Sequence, residues 1–305
     1  LKVRYSYLSQ QFSNCEGLWR NLKNFVKTGD FTLGKELTKF EKKFAKLIGT
    51  KYAVGVNSGT DAIKLSLKVI GIKPGDEVIT AANTFVATVG AICELGAKPI
   101  FVDCDDSFCL DVNLVEKKIN KKTKAIVPVH FTGYMTNMIK LNKIAKKYKI
   151  PIVEDACQSI LASINKKNSG TWSNFGAFSL HPLKNINVWS DGGIIVTSNK
   201  KHYEHLKLLR NHGLVDRDNV KLSGYNSRLD TLQAVVGNWL IPSAKKIANQ
   251  RIENANFYDK GLGQIKEISI PPRLKNYKIV YHLYIIFAKN RDQLLKYCLK
   301  KGIEA

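Results

Sequence analysis

Between residues 51 and 200 the sequence alternates short apolar runs with stretches of helical periodicity. The runs KYAVGV, EVITA, KPIFVD, TKAIVPV and KIPIVED are each followed by a turn signal or a helix. This alternation is typical of an α/β protein in which crossover helices join parallel strands. Because functional residues of such sheets gather at the carboxyl ends of the strands, the residues that follow each run are the first candidates for a site.

The remainder of the chain predicts a change of domain near residue 241. A long helical stretch begins at Leu229 and contains Pro242, which kinks or breaks a helix. Beyond it, EISIPP, KIVYHLYIIFAKN and RDQLLKYCLKKG are typical of a strand, a strand and a helix. We therefore predict a large domain over residues 1–241 and a small α+β domain over residues 242–305.

Composition argues against several classes of function. No run of about 18 apolar residues occurs, and the first residues lack the apolar block of a signal peptide, so we expect a cytoplasmic protein without a membrane partner. No cysteine pair or His/Cys cluster has zinc spacing, so we expect no metal site. Walker A and G-x-G-x-x-G patterns are also absent from the sequence.

The net charge of +23 would suit a polyanionic partner. However, the 48 basic residues comprise 40 lysines and 8 arginines, and the lysines are scattered along helices rather than gathered in one tract with interleaved aromatic residues. A lysine-rich solvated surface therefore explains the charge better than nucleic-acid binding does. We expect no nucleic-acid partner.

Two stretches carry residues that suit an anionic and a cationic group. The run VNSGT leads into a helix at Ser58, Gly59 and Thr60, where free backbone N–H groups and the helix dipole can seat a phosphate. The run IPIVED ends in Asp155, and a carboxylate at that place can hold a ring nitrogen protonated, with Gln158 one turn further on. Taken alone, either feature is more typical of helix capping than of ligand binding.

Phe85 and Lys184 are the other candidates. Phe85 follows a strand in ANTFVAT, where its ring can cover a flat cofactor, although a single Phe is more typical of core packing. Lys184 lies in FSLHPLKNINVWSDGG, between the apolar runs GAFSL and GGIIVTS. A lysine that forms Schiff bases must be partly desolvated so that some of its amine is neutral near pH 7, and these apolar flanks favour such a position.

Six motifs occur in a fixed order along the chain: SGT, NTFVAT, EDACQS, FSLHPLKN…DGG, LRNHG and GYNSRLDTLQA. Together they resemble the DegT/DnrJ/EryC1/StrS family of sugar aminotransferases, and the resemblance runs from GDFTLG near residue 29 to the final GIEA. It implies an α/β protein with the PLP-dependent transferase fold type I, similar to aspartate aminotransferase, whose large domain has a mostly parallel central sheet. It also implies pyridoxal 5′-phosphate (PLP) as cofactor and a homodimer with shared active sites.

The resemblance implies a role for each motif residue. Lys184 and Asp155 are the catalytic residues, because Lys184 forms the Schiff base and moves the proton, while Asp155 pairs with the pyridine nitrogen. The other cofactor contacts that it implies are Ser58, Gly59, Thr60, Phe85, Gln158, Ser179 and Asn226, the last from the neighbouring subunit. His212 and Arg228 are the residues implied near the substrate.

Members of this family usually move an amino group from glutamate to a nucleotide-linked keto sugar. The segment HPLKN followed by NVW resembles the corresponding segment of family members that aminate a 3-keto-6-deoxyhexose. This resemblance implies a role in amino-sugar biosynthesis, such as that of lipopolysaccharide O-antigen. Two alternatives remain. One is a nucleotide-sugar dehydratase that depends on pyridoxamine 5′-phosphate (PMP), in which another residue replaces the Schiff-base lysine. The other is a non-catalytic basic protein associated with DNA. The presence of Lys184 and of suitable residues at the cofactor positions favours the aminotransferase.

The chain departs from the pattern of the family at three places. SILAS follows Gln158 where many relatives carry a His-Gly pair, and Ser190 stands where Gly is usual. Family members continue beyond the equivalent of GIEA into a segment that contains His-Tyr-Pro. We therefore expect the small domain to be incomplete and the lip of the substrate pocket to differ.

Overall fold

The computed structural model describes residues 2–305. Its helices are α1 (Leu8–Gln11), α2 (Glu16–Val26), α3 (Lys35–Ile48), α4 (Gly59–Val69), α5 (Val86–Cys93), α6 (Val112–Val115), α7 (Met138–Tyr148), α8 (Lys200–Leu209), α9 (Thr231–Leu240), α10 (Ala244–Leu262) and α11 (Arg291–Lys300). Its strands are β1 (Tyr52–Val56), β2 (Glu77–Ala81), β3 (Lys98–Val102), β4 (Thr123–Val127), β5 (Val153–Asp155), β6 (Ser163–Ile164), β7 (Lys167–Asn168), β8 (Phe175–Ser179), β9 (Gly193–Thr197), β10 (Ile268–Ser269), β11 (Tyr277–Lys278) and β12 (Phe287–Ala288). Over these residues, none of the helices combines the length and the apolar character that a bilayer crossing requires.

The centre of the molecule is a twisted sheet made from two hydrogen-bonded groups, β3-β2-β4 and β5-β8-β9-β1. Parallel bridges from Ile126 to Ile152 and from Val129 to Asp155 join β4 to β5, so the two groups form one sheet. Strand β9 runs antiparallel to both of its neighbours, β1 and β8, whereas the other pairings in this sheet are parallel. The predicted α/β class with a mostly parallel sheet is confirmed.

The sequence explains why these strands occupy the core. Every residue of β8 and β9 is buried, as expected for strands that helices cover on both faces. Helix α3 buries Leu37, Phe40, Phe44 and Ile48, which recur at helical spacing on one face, and it ends at Gly49 in the left-handed conformation (φ 92°). The hydrophobic core therefore lies on both sides of the central sheet.

A buried ion pair forms hydrogen bonds to the outer edge of β1. Glu41 Oε1 accepts a hydrogen bond from the Gly55 N–H at 2.8 Å, and Arg210 Nη1 donates to the Gly55 carbonyl at 2.9 Å. Arg210 also donates to Glu41 Oε1. The two side chains thus satisfy backbone groups that a further strand would otherwise pair, which closes this edge of the sheet.

The C-terminal third agrees with the sequence at Pro242 and differs after residue 278. Helix α9 ends at Leu240 and α10 begins at Ala244, with a 3₁₀ turn between them, so the predicted break is confirmed.

The strand predicted over residues 278–290 is wrong, because only β11 and β12 form at its ends. Ile279 and Tyr281 pack in a cluster with Tyr134 instead, and Tyr281 has a left-handed backbone (φ 47°) that interrupts a strand. The domain boundary at residue 241 stays a prediction.

Strand β9 enters the sheet directly beneath the turn that joins β1 to α4. Gly193 pairs with Val56 on one side and with Ser179 on the other. A Cβ atom on Gly193 would lie 2.1 Å from the Ser58 carbonyl oxygen and 2.9 Å from the Gly59 nitrogen. Both neighbours are backbone atoms inside a packed sheet, so only glycine allows the turn to lie this close to β9.

We expect Gly193→Ala to lower the free energy of unfolding by about 2 kcal/mol or more, because the added methyl group overlaps the Ser58 carbonyl. Gly261→Ala in α10 is the matched control, since a Cβ there meets no atom within 4 Å. Alanine favours a helix over glycine, so we expect this control to be unchanged or more stable by up to about 1 kcal/mol. Urea denaturation measures both changes, and equal effects of the two substitutions would contradict the steric argument.

Candidate active site

Two strand ends and one helix start meet at a single edge of the central sheet. Asp155 ends β5 and Ser179 ends β8, and these strands are parallel neighbours. Gly59 opens α4 so close to them that a Cβ on it would lie 2.8 Å from the Ser179 Cβ and 3.0 Å from Cys157 Sγ. The structure therefore brings together the predicted residues Gly59, Asp155 and Ser179, and it adds Cys157 between them.

The start of α4 has free backbone donors. Ser58 Oγ accepts a hydrogen bond from the Asp61 N–H at 3.1 Å, so its side chain caps the helix. The first backbone bond of the helix runs from the Ala62 N–H to the Ser58 carbonyl. Over residues 2–305 the N–H groups of Gly59 and Thr60 have no acceptor, which leaves them with the helix dipole as a seat for an anion.

Asp155 is a buried carboxylate, 5% exposed, that is held on both oxygens. Thr88 Oγ1 donates to Oδ2 at 2.7 Å, and the Cys157 N–H donates to Oδ1 at 3.2 Å. Each carboxylate oxygen can accept more than one hydrogen bond, so these contacts orient the carboxylate and still leave it able to accept further hydrogen bonds. Asp155 can therefore accept a further N–H donor from a cationic ring.

The orientation of the Gln158 side chain follows from one backbone contact. The Thr132 N–H donates to Gln158 Oε1 at 2.7 Å, and only the oxygen of an amide can accept such a bond. The Gln158 amide nitrogen is therefore the end that remains available, and it can only donate. A donor at this position suits a ligand oxygen that carries negative charge.

The carboxylate next to Asp155 in sequence has a structural role. Glu154 is fully buried and accepts hydrogen bonds from the Gly170 N–H at 2.7 Å, from the Trp172 N–H and from Ser173 Oγ, both at 2.8 Å. Its Oε2 also lies 3.0 Å from His130 Nε2. These contacts fix the loops on both sides of β5, including the turn that carries Thr132.

Lys184 lies in the loop over residues 180–192, which connects β8 to β9. The Lys184 N–H donates to the His181 carbonyl at 2.8 Å, and Asn187 Nδ2 donates to the Lys184 carbonyl at 3.1 Å. Asn185 Nδ2 donates to the Val280 carbonyl at 3.1 Å, which ties the loop to the C-terminal part of the chain. The loop is thus held on both sides of the lysine, whose side chain is half-buried.

Electrostatics link Lys184 to Asp155 through Cys157. Burial raises the pKa of the Cys157 thiol well above its usual value, the charge of Asp155 raises it further, and the charge of Lys184 lowers it. A single thiol therefore lies within range of both charges. At neutral pH the thiol is therefore protonated and adds no charge to the site.

His282 also lies near Lys184, and the sequence did not identify it. Burial lowers the pKa of His282 to about 3, with further lowering by the charges of Lys184, Arg251 and His181. Arg251 Nη1 donates to the carbonyls of Tyr281 and His282 at 3.0 and 3.3 Å. His282 is consequently neutral at physiological pH. Because its segment, residues 278–290, is typical of a continuous strand, the sequence alone does not indicate that His282 lies beside the lysine loop.

Phe85 lies at the same edge but outside the core. The residue is 66% exposed and forms the N-cap of α5, so packing in the core does not explain it. Thr88, one turn further along the helix, contacts Asp155. The spacing of Thr84 and Thr88 around Phe85 in NTFVAT was the signal that could have identified Thr88.

Asn226 lies on the surface beside the start of α4. A backbone bridge pairs it with Asn211, and the next residue, Ser227, donates through Oγ to Asp61 Oδ2 at 2.6 Å. The Asn57 N–H donates to Ser227 Oγ at 3.4 Å. This network fixes the backbone, while the Asn226 side chain is exposed and makes no hydrogen bond within the part of the chain that the structure describes.

His212 and Arg228 lie in the same loop as Asn226. His212 is exposed with a left-handed backbone (φ 56°), and its N–H donates to the Tyr225 carbonyl at 2.8 Å. Arg228 Nη1 donates to Asn211 Oδ1 at 3.1 Å. In residues 2–305, no hydrogen bond joins either side chain to Asp155 or to Lys184. The loop that carries Asn226 therefore joins the site through Ser227 and the start of α4 rather than through Asp155 or Lys184.

A mostly parallel sheet with one inserted antiparallel strand, and a lysine in the loop before that strand, define the PLP-dependent transferases of fold type I. A family model described as the DegT/DnrJ/EryC1/StrS aminotransferase family matches residues 16–305. The chain belongs to this family. The predicted membership and fold are confirmed.

Individual relatives agree with this assignment. The dTDP-3-amino-3,4,6-trideoxy-alpha-D-glucose transaminase of Streptomyces venezuelae is 37% identical over 278 residues, which cover 91% of this chain and 73% of that protein. A protein named pleiotropic regulatory protein, from Geobacillus stearothermophilus, is 36% identical over 97% of this chain and 81% of its own length. The crystal structure of S. venezuelae DesV in complex with a ketimine intermediate matches with a TM-score of 0.97 at 34% identity, over 99% of this chain and 82% of that chain.

We expect iodoacetamide at pH 8 to alkylate Cys93 and to leave Cys157 unmodified in the folded protein. The thiolate is the reactive form, and burial together with Asp155 raises the pKa of the Cys157 thiol, whereas Cys93 is exposed. Mass spectrometry of peptides measures the modification of each residue. Denatured protein is the control and should react at both cysteines, and equal labelling in the folded state would contradict the proposed environment of Cys157.

Proposed function

We propose that this chain is a PLP-dependent aminotransferase that moves an amino group from an amino acid, in particular glutamate, to a nucleotide-linked keto sugar. The observation that carries the proposal is the meeting of Asp155, the free helix start at Gly59 and the Lys184 loop around Cys157. An anion seat, an acceptor for a cationic N–H and an amine are the three groups that PLP requires.

The residues present fit the cofactor of this family. The N–H groups of Gly59 and Thr60, with the Ser179 hydroxyl, would bind the phosphate, and only glycine at position 59 leaves room beside Ser179 and Cys157. Asp155 would accept the ring N–H. When bound, PLP supplies an electron sink for the charge that develops on the amino-acid carbon.

The remaining contacts would orient the ring. The free amide nitrogen of Gln158 would donate to the ring oxygen, and the exposed Phe85 ring would cover one face of the ring. The Thr132 N–H supports the Gln158 orientation, because it occupies the amide oxygen. Ser58 acts on the site through its cap of α4.

Lys184 would have two functions. Its Nζ would hold the cofactor covalently between reactions, and after release it would take up the proton that the α-carbon of the donor loses. The half-buried position in a loop held by His181 and Asn187 limits the places that the amine can reach. The neutral His282 adds no second positive charge beside it.

For the acceptor we propose a nucleotide-linked 3-keto-6-deoxyhexose in amino-sugar biosynthesis, such as that of O-antigen. The 37% identical Streptomyces relative is a transaminase of a dTDP-linked 3-amino sugar, which supports a 3-amino product here. His212 and Arg228 are proposed substrate contacts, and the net charge of +23 favours an anionic nucleotide diphosphate. Because nucleotide-linked sugars are soluble metabolites, we propose a cytoplasmic enzyme.

We also propose that two copies share their active sites. The Asn226 side chain points outward from a backbone that Ser227 fixes, so it is suited to reach a neighbouring subunit. Val215 and Val220 in the same loop are 61% and 64% exposed, and Val86 beside Phe85 is 71% exposed. Exposed apolar side chains on both sides of the site support an interface with a second copy.

We expect the protein to bind PLP with a yellow absorbance that borohydride removes, with the reduced label on Lys184. Lys184→Ala should lose this label and reduce transamination by roughly a thousandfold, because both covalent attachment and proton transfer depend on its amine. Peptide mass spectrometry and an assay with glutamate and a panel of nucleotide-linked 3-keto and 4-keto sugars measure the two effects. Lys200→Ala, at an exposed lysine that begins α8, is the control and should match the wild type.

Other results would favour the alternatives. Failure to bind PLP together with tight, salt-sensitive DNA binding would support a regulatory protein instead. Loss of a sugar hydroxyl without net amino transfer would support a dehydratase. Either outcome would overturn the proposed activity.

We expect mixed subunits to recover activity if Asn226 serves the neighbouring site. Lys184→Ala and Asn226→Ala each damage both sites of their own homodimers. A heterodimer of the two has one site with both residues intact, so random mixing should restore about a quarter of wild-type activity. Activity after unfolding, mixing and refolding measures this, and mixtures no more active than the separate variants would show that Asn226 does not act across subunits.

A further inference from the structure

A chain of two hydroxyl groups leads from the surface to the buried carboxylate of Asp155. Thr84 Oγ1 lies 2.7 Å from Thr88 Oγ1, and Thr88 Oγ1 lies 2.7 Å from Asp155 Oδ2. Thr84 precedes Phe85, the N-cap of α5, and Thr88 lies in the first turn of that helix, four residues further along the chain. Neither hydroxyl belongs to a role that the family resemblance assigns.

The direction of donation in this chain follows from the chemistry of the groups. An ionised carboxylate can only accept, so the single hydrogen of the Thr88 hydroxyl points to Asp155. Thr84 must then donate to Thr88, because Thr88 has no second hydrogen to give. Each hydroxyl thus strengthens the next, and all of the donation ends on Asp155 Oδ2.

Burial makes Thr88 hard to replace. Thr88 is 1% exposed and Asp155 is 5% exposed, so water has little access to take over a lost hydrogen bond. The other contact to the carboxylate, from the Cys157 N–H, is longer at 3.2 Å. Without Thr88, the plane of the carboxylate would be set by that one weaker bond.

The same turn of α5 also carries Phe85. The Thr88 N–H donates to the Phe85 carbonyl at 3.1 Å, which fixes the separation between the aromatic ring and the hydroxyl. We propose that Thr88 is a positioning residue that aims the Asp155 carboxylate at the ring N–H of PLP, with Thr84 supporting it. The inference rests on the proposed function. In this arrangement one turn of α5 carries both Phe85, which would cover the face of the cofactor ring, and Thr88, which would position the carboxylate at the ring N–H.

Thr88→Val tests this inference, because valine keeps the shape of threonine and removes the donor. We expect the dissociation constant for PLP to rise about tenfold, and at saturating PLP we expect kcat to fall about tenfold with the KM for glutamate unchanged. Thr88→Ser restores the hydroxyl and should return both values to within about twofold of the wild type. Thr84→Val should give a smaller effect of about twofold, since Thr88 still donates to Asp155.

Thr80→Val is the matched control for loss of a buried hydroxyl. Thr80 on β2 is fully buried and donates to the Val127 carbonyl at 2.9 Å, away from Asp155. Thermal unfolding and circular dichroism report whether each variant folds, and the visible spectrum of bound PLP reports the site. If Thr88→Val matches Thr80→Val in PLP affinity and kcat, or if serine fails to rescue, the inference is wrong. A wild-type protein that neither binds PLP nor transaminates would instead refute the proposed function.

Discussion

The close crossing of the β1–α4 turn over β9 is the constraint on which the site depends. Gly193 sits between Val56 and Ser179 with the Ser58 carbonyl directly above it, so β9 can enter the sheet antiparallel between two parallel strands. That reversal makes the β8–β9 loop start and end at the edge where β1 and β5 finish. Lys184 therefore reaches the same edge as Asp155 and the start of α4, although 29 residues separate the lysine from the aspartate in sequence.

The two adjacent carboxylates at the end of β5 show how strand geometry divides tasks. Successive side chains of a strand point to opposite faces of the sheet. Glu154 turns to one face, where His130, two backbone N–H groups and Ser173 satisfy it completely. Asp155 turns to the other face, where Thr88 and the Cys157 N–H hold it but leave acceptor capacity. One carboxylate therefore stabilises the scaffold, and its neighbour remains available for a ligand.

The sequence predicted those features that depend on residues close together along the chain. Alternating apolar runs predicted the strands of the central sheet, Pro242 predicted the break between α9 and α10, and ordered motifs predicted the family. Lys184 could be identified only because apolar strands flank it and because the other motifs of the family occur in the same sequence. Thr88 and His282 could not be found in this way, because their significance comes from contacts with residues that are 67 and about 98 positions away. The strand expected after residue 278 failed for the same reason, since packing against Tyr134 overrides its local preference.

The protonated state of Cys157 has a chemical consequence for an enzyme that uses an aldehyde. Thiolates add readily to aldehydes, and a reactive cysteine beside Lys184 would compete with the amine for the same carbon. Burial and the Asp155 charge raise the pKa of this half-buried thiol, whose sulfur lies against Gly59 and the Ala177 carbonyl. The carboxylate that would accept the ring N–H of the cofactor thereby also keeps this thiol in its unreactive form.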